Sequence, residues 1–305
     1  MIGRMLMLVR RELWEHKALI VAPLVVAALM IFGFVLSFIT AVFTGVSFDV
    51  AVATLELTGA PASLTGGAAL LGVSSGMLNL VLAAVVFFYS IDALYAERKD
   101  KSILFWRSLP VTDTETVISK LLTAVIAAPL VTIGIMIAAQ IVLLILATLA
   151  ILIGGGNPVE LIWGPLPFVQ FWVLTIYTFI TSSIWFAPLI GWFLLCSAFA
   201  KRSVLLWVVL PIVVLVMLEG IVLRSLHMSA FIRDRFADAP VAGLSLPNGV
   251  VMDDNALRAL VQSGDLNILQ VIAPGQYLAS PGLWGGLVVT ALFLAGAVYC
   301  RRFRS

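Results

Sequence analysis

The residues best suited to chemistry or docking form one polar stretch between two long apolar runs. It begins Glu97-Arg98-Lys99-Asp100-Lys101-Ser102 and continues Ile103-Leu104-Phe105-Trp106-Arg107-Ser108-Leu109-Pro110-Val111. Charges of both signs followed by an apolar-aromatic patch suit a short amphipathic helix. Such a helix turns its charges to a soluble partner and its rings to a membrane interface. A basic loop that only flanks a membrane span would read the same way. Thr112 or Asp113 then caps a following helix, with Glu115 in its first turn and Lys120 carried into the next apolar run.

Three polar residues lie inside apolar runs, where they are costly and often functional. Glu219 sits about two turns from the end of its run and has Arg224 as a possible partner. Asn79 and Gln140 are uncharged and suit interhelical hydrogen bonds. All three are candidates for lining a translocation path. Gly72-Val73-Ser74-Ser75-Gly76 matches the GxSxG of serine hydrolases, but no strand precedes it, as a nucleophile elbow needs. A Ser74/His227 pair in an intramembrane hydrolase is the remote alternative, and close helix packing by small residues explains the pattern without chemistry. The chain has no Gly-Lys dipeptide and so no P-loop to hold nucleotide phosphates. With His16 and His227 on different expected sides, and Cys196 and Cys300 in no CxxC, neither a metal nor another bound cofactor is expected.

The elements that must position these residues follow from composition. Of 305 residues 62% are hydrophobic and 11% charged, with mean hydropathy +1.14. A soluble domain carries about 25% charged residues, so the apolar surface must meet lipid. The expected fold is an all-α membrane protein of about six transmembrane helices in one domain, 1–305. The spans cover roughly 19–43, 70–94, 121–153 (with Pro129), 171–199 (with Pro188), 204–226 and 282–298, each near or above the ~20 residues a bilayer requires. The run after Lys17 is too long for a signal-peptide core and reads as a retained first span. Residues 1–18 form an interfacial helix, apolar side in lipid and basic side toward headgroups. Residues 227–281 form a long outside segment, in which Asp253-Asp254-Asn255 caps a short helix through Gln262.

Fourteen of 18 Lys and Arg fall in the N-terminal helix, residues 95–120, Lys201-Arg202 and the C-terminal Arg301, Arg302 and Arg304. The positive-inside bias places these segments, and both termini, in the cytoplasm. Topology explains the basic residues, so no nucleic-acid partner is expected. Trp106, Trp163, Trp172 and Trp284 fall near span ends and read as interface aromatics.

Three features together resemble an ABC-2-type permease, the membrane-spanning subunit of an ABC transporter. They are Arg10-Arg11-Glu12-Leu13-Trp14 before the first span, the loop from Glu97-Arg98-Lys99 through Arg107-Ser108-Leu109-Pro110-Val111 to Ser119-Lys120, and six spans with an excursion between the last two. The resemblance runs over nearly the whole chain. Many members carry a Gly-Thr-like pair where this chain has Lys101-Ser102. The resemblance implies a multi-pass protein of a bacterial-type inner membrane, paired with a second permease subunit and exporting a substrate. It implies that Glu97, Arg98, Lys99, Asp100, Phe105, Trp106, Arg107, Leu109 and Pro110 dock on a separate P-loop ATPase, which holds the ATP and Mg. A secondary transporter working alone, or a membrane anchor or sensor, are the other readings.

Overall fold

The computed structural model describes residues 2–44, 66–100, 111–164, 168–223, 227–238, 243–244 and 271–303. Among these, every regular element is a helix, and the β structure is one isolated antiparallel bridge between Leu244 and Ile272. In chain order the helices are α1 (Ile2–Glu15), α2 (Ala18–Thr44), α3 (Gly66–Lys99), α4 (Asp113–Leu122) and α5 (Ala128–Ile153). They continue with α6 (Phe168–Trp185), α7 (Ala187–Phe199), α8 (Val204–Leu218), α9 (His227–Asp238), α10 (Pro274–Ala279) and α11 (Pro281–Phe303). Wider π-helical turns cover Thr123–Ala127, Val159–Trp163 and Glu219–Leu223.

Six helical segments among the described residues are long and apolar enough to cross a bilayer: Ala18–Thr40, Leu70–Lys99, Asp113–Ile153, Phe168–Trp185, Val204–Val222 and Pro281–Phe303. They match the six expected spans, with differences that prolines and helix ends explain. Pro129 has no N–H for the carbonyl one turn back, and its ring crowds that carbonyl. The chain widens just before it, so that the Ala128 N–H bonds Thr123 O, five residues back. The expected single span over 171–199 is divided at Phe186 into α6 and α7. Pro188 sits in the first turn of α7, where a missing N–H costs nothing. At their charged ends α3 and α4 run past the apolar stretch, to Lys99 and from Asp113, because water does not stop a helix. The Asp253–Gln262 helix lies outside the described residues.

The surface is apolar and the interior partly polar, the reverse of a soluble domain. Leu80 is 73% exposed, Leu206 61% and Leu292 66%, whereas Glu12, Lys120 and Gln140 are each 0% exposed. A water-facing monomer does not show so much contiguous apolar surface, and lipid provides its solvent. The main core joins Leu19, Leu78, Leu82, Leu94, Val117, Met136 and Leu194 from α2, α3, α4, α5 and α7. Along the α7–α11 seam, Gly191 lies against Thr290 and Phe293, and Gly296 against Leu195, so the two helices run in the same direction. A Cβ on Gly296 would come 3.1 Å from Leu195 Cδ1. Small residues thus let these two backbones approach.

Candidate functional site

At one end of the bundle four chain segments meet through buried charges. On α1, Glu12 follows Leu8 by one turn and shares its buried face. On α4, Lys120 points back into the same space. Its Nζ lies 3.0 and 2.9 Å from the two Glu12 carboxylate oxygens and 2.9 Å from Glu97 Oε1, at the end of α3. The second Glu97 oxygen takes a short bond from Arg301 Nη1 on α11, and Arg301 Nε donates to Asp113 Oδ1 at 2.8 Å. Arg11 Nη2 adds a bond to Glu12 Oε1 at 2.8 Å and lies 3.5 Å from Glu97 Oε1. The Tyr89 hydroxyl, from α3, donates to Glu12 Oε2 at 3.0 Å.

Three carboxylates and three cations therefore balance here, with Glu12, Glu97, Lys120 and Arg301 buried and Asp113 and Arg11 partly exposed. Each would be costly to bury alone, and the pairing offsets that cost. His16 flanks the cluster, its Nε2 3.9 Å from Glu12 Oε2 and its ring edge-on to Tyr89. Burial lowers the His16 pKa and so favours the neutral ring, outweighing Glu12, which pulls the other way. Just outside, Thr112 and Glu115 form the expected capping box at the start of α4: the Glu115 N–H bonds Thr112 Oγ1 at 3.2 Å, and the Thr112 N–H bonds Glu115 Oε2 at 3.0 Å. An open cavity of about 450 Å³ lies beside it, lined by Thr112, Asp113, Thr116, Val298, Arg301 and Arg302.

The docking candidates divide in two. Glu97 is buried in the cluster. Arg98 caps α7: its Nη2 donates to Ser197 O at 2.6 Å and Ala200 O at 2.8 Å, carbonyls that the helix end leaves unpaired. Lys99 and Asp100 are exposed. Phe105, Trp106, Arg107, Leu109 and Pro110 lie outside the described residues. The interfacial reading of residues 1–18 changes in one respect. Arg11 and Glu12 turn into the bundle, while Leu6, Met7, Arg10 and Trp14 face outward.

Halfway along, Gln140 is saturated by its neighbours. Its Nε2 lies 3.2 Å from Leu71 O, 3.0 Å from Ser74 Oγ and 2.9 Å from Ser75 Oγ, and its Oε1 accepts from Trp172 Nε1 at 2.9 Å. It ties α3, α5 and α6 together, as an intramembrane amide does. The GxSxG residues sit in the continuous helix α3, and their serines serve this bond set. A Cβ added at Gly72 or Gly76 would meet no atom within 4 Å, so the serines, not the glycines, make the contact. Asn79 is half-buried on α3. Glu219 is half-buried and opens the π turn in the fifth span, while Arg224 lies outside the described residues.

The other end of α11 holds a different polar site. Arg235 of α9 is 5% exposed. Its guanidinium carbon stands 4.1 Å from the Trp185 ring centre, and its Nη1 donates to Gly282 O at 2.9 Å. Trp185 Nε1 returns a bond to Arg235 O at 3.1 Å. Nearby the Tyr277 hydroxyl donates to Thr181 O at 2.9 Å, and the Tyr177 hydroxyl to Gly243 O at 3.0 Å. Gly243 has φ +86°, and a Cβ there would stand 2.5 Å from Tyr177 Oη, so both conformation and space call for glycine. Among the described residues no group of three or more His, Cys, Asp or Glu could hold a metal ion.

In the sequence Arg301 reads as a flank charge, and Glu12 and Lys120 read as parts of the two motifs that carry the resemblance, with nothing to pair them. Their partners lie 108 and 204 positions away, and no spacing rule relates them. A base next to Leu121, at the very start of an apolar run, is the available signal.

Six bilayer-length apolar helices with buried polar groups between them define a multi-pass α-helical membrane protein. No protein-family model matches the chain, and no curated protein and no solved structure is significantly similar to it.

Proposed function

We propose that this chain is the membrane-spanning subunit of an ABC-2-type transporter, an exporter whose ATP hydrolysis takes place on a separate P-loop ATPase. In this reading the charge cluster lies at the cytoplasmic end, two such subunits enclose the path, and residues 97–110 receive the ATPase.

The observation that carries the reading is the anchoring of both flanks of that loop. Glu97 lies in the last turn of the helix before it, Asp113 opens the helix after it, and Lys120 lies in that helix's last turn. Lys120 pairs with Glu12 of α1 and with Glu97, and Arg301 of α11 pairs with Glu97 and with the partly exposed Asp113. A displacement of the loop is therefore passed to four helices at once rather than lost in a soft linker. The ATPases drive the change by binding one state of the spans more tightly than the other. Exposed Lys99 and Asp100 at the loop's base are placed to meet a partner, while Arg98 holds α7 to the same helix end.

The test is co-purification in mild detergent with the ATPase, followed by replacement of the exposed Lys99 and Asp100 together with Phe105. The expected result is a folded subunit with ATP hydrolysis uncoupled from transport. Normal coupled transport by the triple variant, or no associated ATPase at all, overturns the proposal.

A further inference from the structure

Arg235 has five N–H donors in a fixed planar fork, and the structure gives it one acceptor, Gly282 O. Nε and Nη2 are both buried without a hydrogen-bond partner among the described residues. They form one edge of the guanidinium, whose two parallel N–H bonds match the paired oxygens of a carboxylate or phosphate. The neighbouring polar groups do not fill that edge. The hydroxyls of Tyr277 and Thr290 donate to Thr181 O and Gly286 O, and neither accepts from Nε or Nη2. Among the described residues no carboxylate comes within ion-pair distance of Arg235, and Asp238, three positions on, acts on it only from farther away. The cation is nevertheless held in place, by the Trp185 face and by Gly286, whose Cβ, if present, would stand 2.2 Å from Nη2. A buried cation so positioned and so poorly paired is costly unless something else completes it.

The geometry points to Arg235 as the receptor for one oxyanion carried on an apolar body, such as a fatty acid or an acidic phospholipid. The apolar part is argued from the surroundings. Trp185 and Leu283 line the inner side, and Phe231, Phe236, Leu278 and Trp284 are more than half exposed around it. The edge is closed in this structure, so the anion enters as α9 parts from the head of α11. The two charge-assisted bonds it brings are the ones the cation lacks. This site is independent of the ATPase reading.

The test is equilibrium binding of radiolabelled oleate to the full chain in phosphatidylcholine nanodiscs. Wild type binds saturably, oleyl alcohol does not compete, and R235Q binds at least tenfold more weakly. G286A, whose methyl meets Nη2 first and also comes 3.0 Å from Pro188 Cγ, forces the guanidinium aside and loses binding too, while G285A, with nothing within 4 Å of its added methyl, binds as wild type. G286A and G285A keep the comparison valid if R235Q fails to fold. Competition by phosphatidylglycerol supports a bilayer lipid as the source of the anion, and its absence supports a free amphiphilic acid. Equal binding by wild type, R235Q and G286A, competition by oleyl alcohol, or no saturable binding of either oleate or phosphatidylglycerol overturns the assignment.

Discussion

Two arginines meet the same helix near its two ends. Arg301, on α11 itself, is 3% exposed, and Arg235, packed on Gly282 and Gly286, is 5% exposed. About 22 Å of helix separates Arg301 from Gly286, at 1.5 Å per residue. Arg301 spends two donors on the carboxylates of Glu97 and Asp113, within a cluster whose charges balance. Arg235 rests on an indole and one carbonyl. Burial alone therefore does not tell what an arginine does. The paired cation is a joint between helices, and the one without a carboxylate is the proposed anion site.

The comparison breaks most visibly at Lys120. Replacing it with Met removes the cation that Glu12 and Glu97 share and leaves three carboxylates to two arginines; a broken buried pair typically costs about 3–5 kcal/mol. Thermal unfolding in detergent should show that loss, and a second change, Glu12→Gln, should recover part of it. An unchanged melting temperature in K120M would mean that the cluster is not a joint. A smaller loss is expected for Q140L, which strips the Trp172 indole and the Ser74 and Ser75 hydroxyls of their shared partner. An unsatisfied buried polar group costs about 1–3 kcal/mol, and unfolding against wild type measures it. The smallest effect is expected at Arg235. Without an anion present, R235Q should lie within about 1 kcal/mol of wild type, because the lost contact with Trp185 is offset by relief of an unpaired charge. A drop as large as that of K120M would make Arg235 a second joint and erase the contrast.

The spans are plain in the sequence because a bilayer demands long apolar runs, and these are local. The cap at Thr112 and the hydrogen-bonding role of Gln140 are legible too, since each follows from a residue type in its immediate setting. Which helices adjoin is not local. Trp172 reads as an interface aromatic, but its indole N–H reaches Gln140. Ser74 and Ser75 read as spacers and are its partners. Pro188 reads as lying inside one span, but the helix divides at Phe186, two residues earlier, which puts the proline in the first turn of the next helix, where its missing N–H is not needed. Arg235 carries no signal beyond its charge, since its isolation depends on how α9 folds back against α11.

The central claim is that the buried cluster gathers the N-terminal helix, both flanks of the 101–110 loop and the end of α11 at one face, the cytoplasmic one. Single cysteines at Asp100 and Arg302, in a chain lacking Cys196 and Cys300, test it with a membrane-impermeant maleimide on inside-out and right-side-out vesicles. The account predicts that both are labelled only in inside-out vesicles, and a cysteine at Asp234 only in right-side-out ones. Labelling of Asp100 and Arg302 from opposite faces would contradict it.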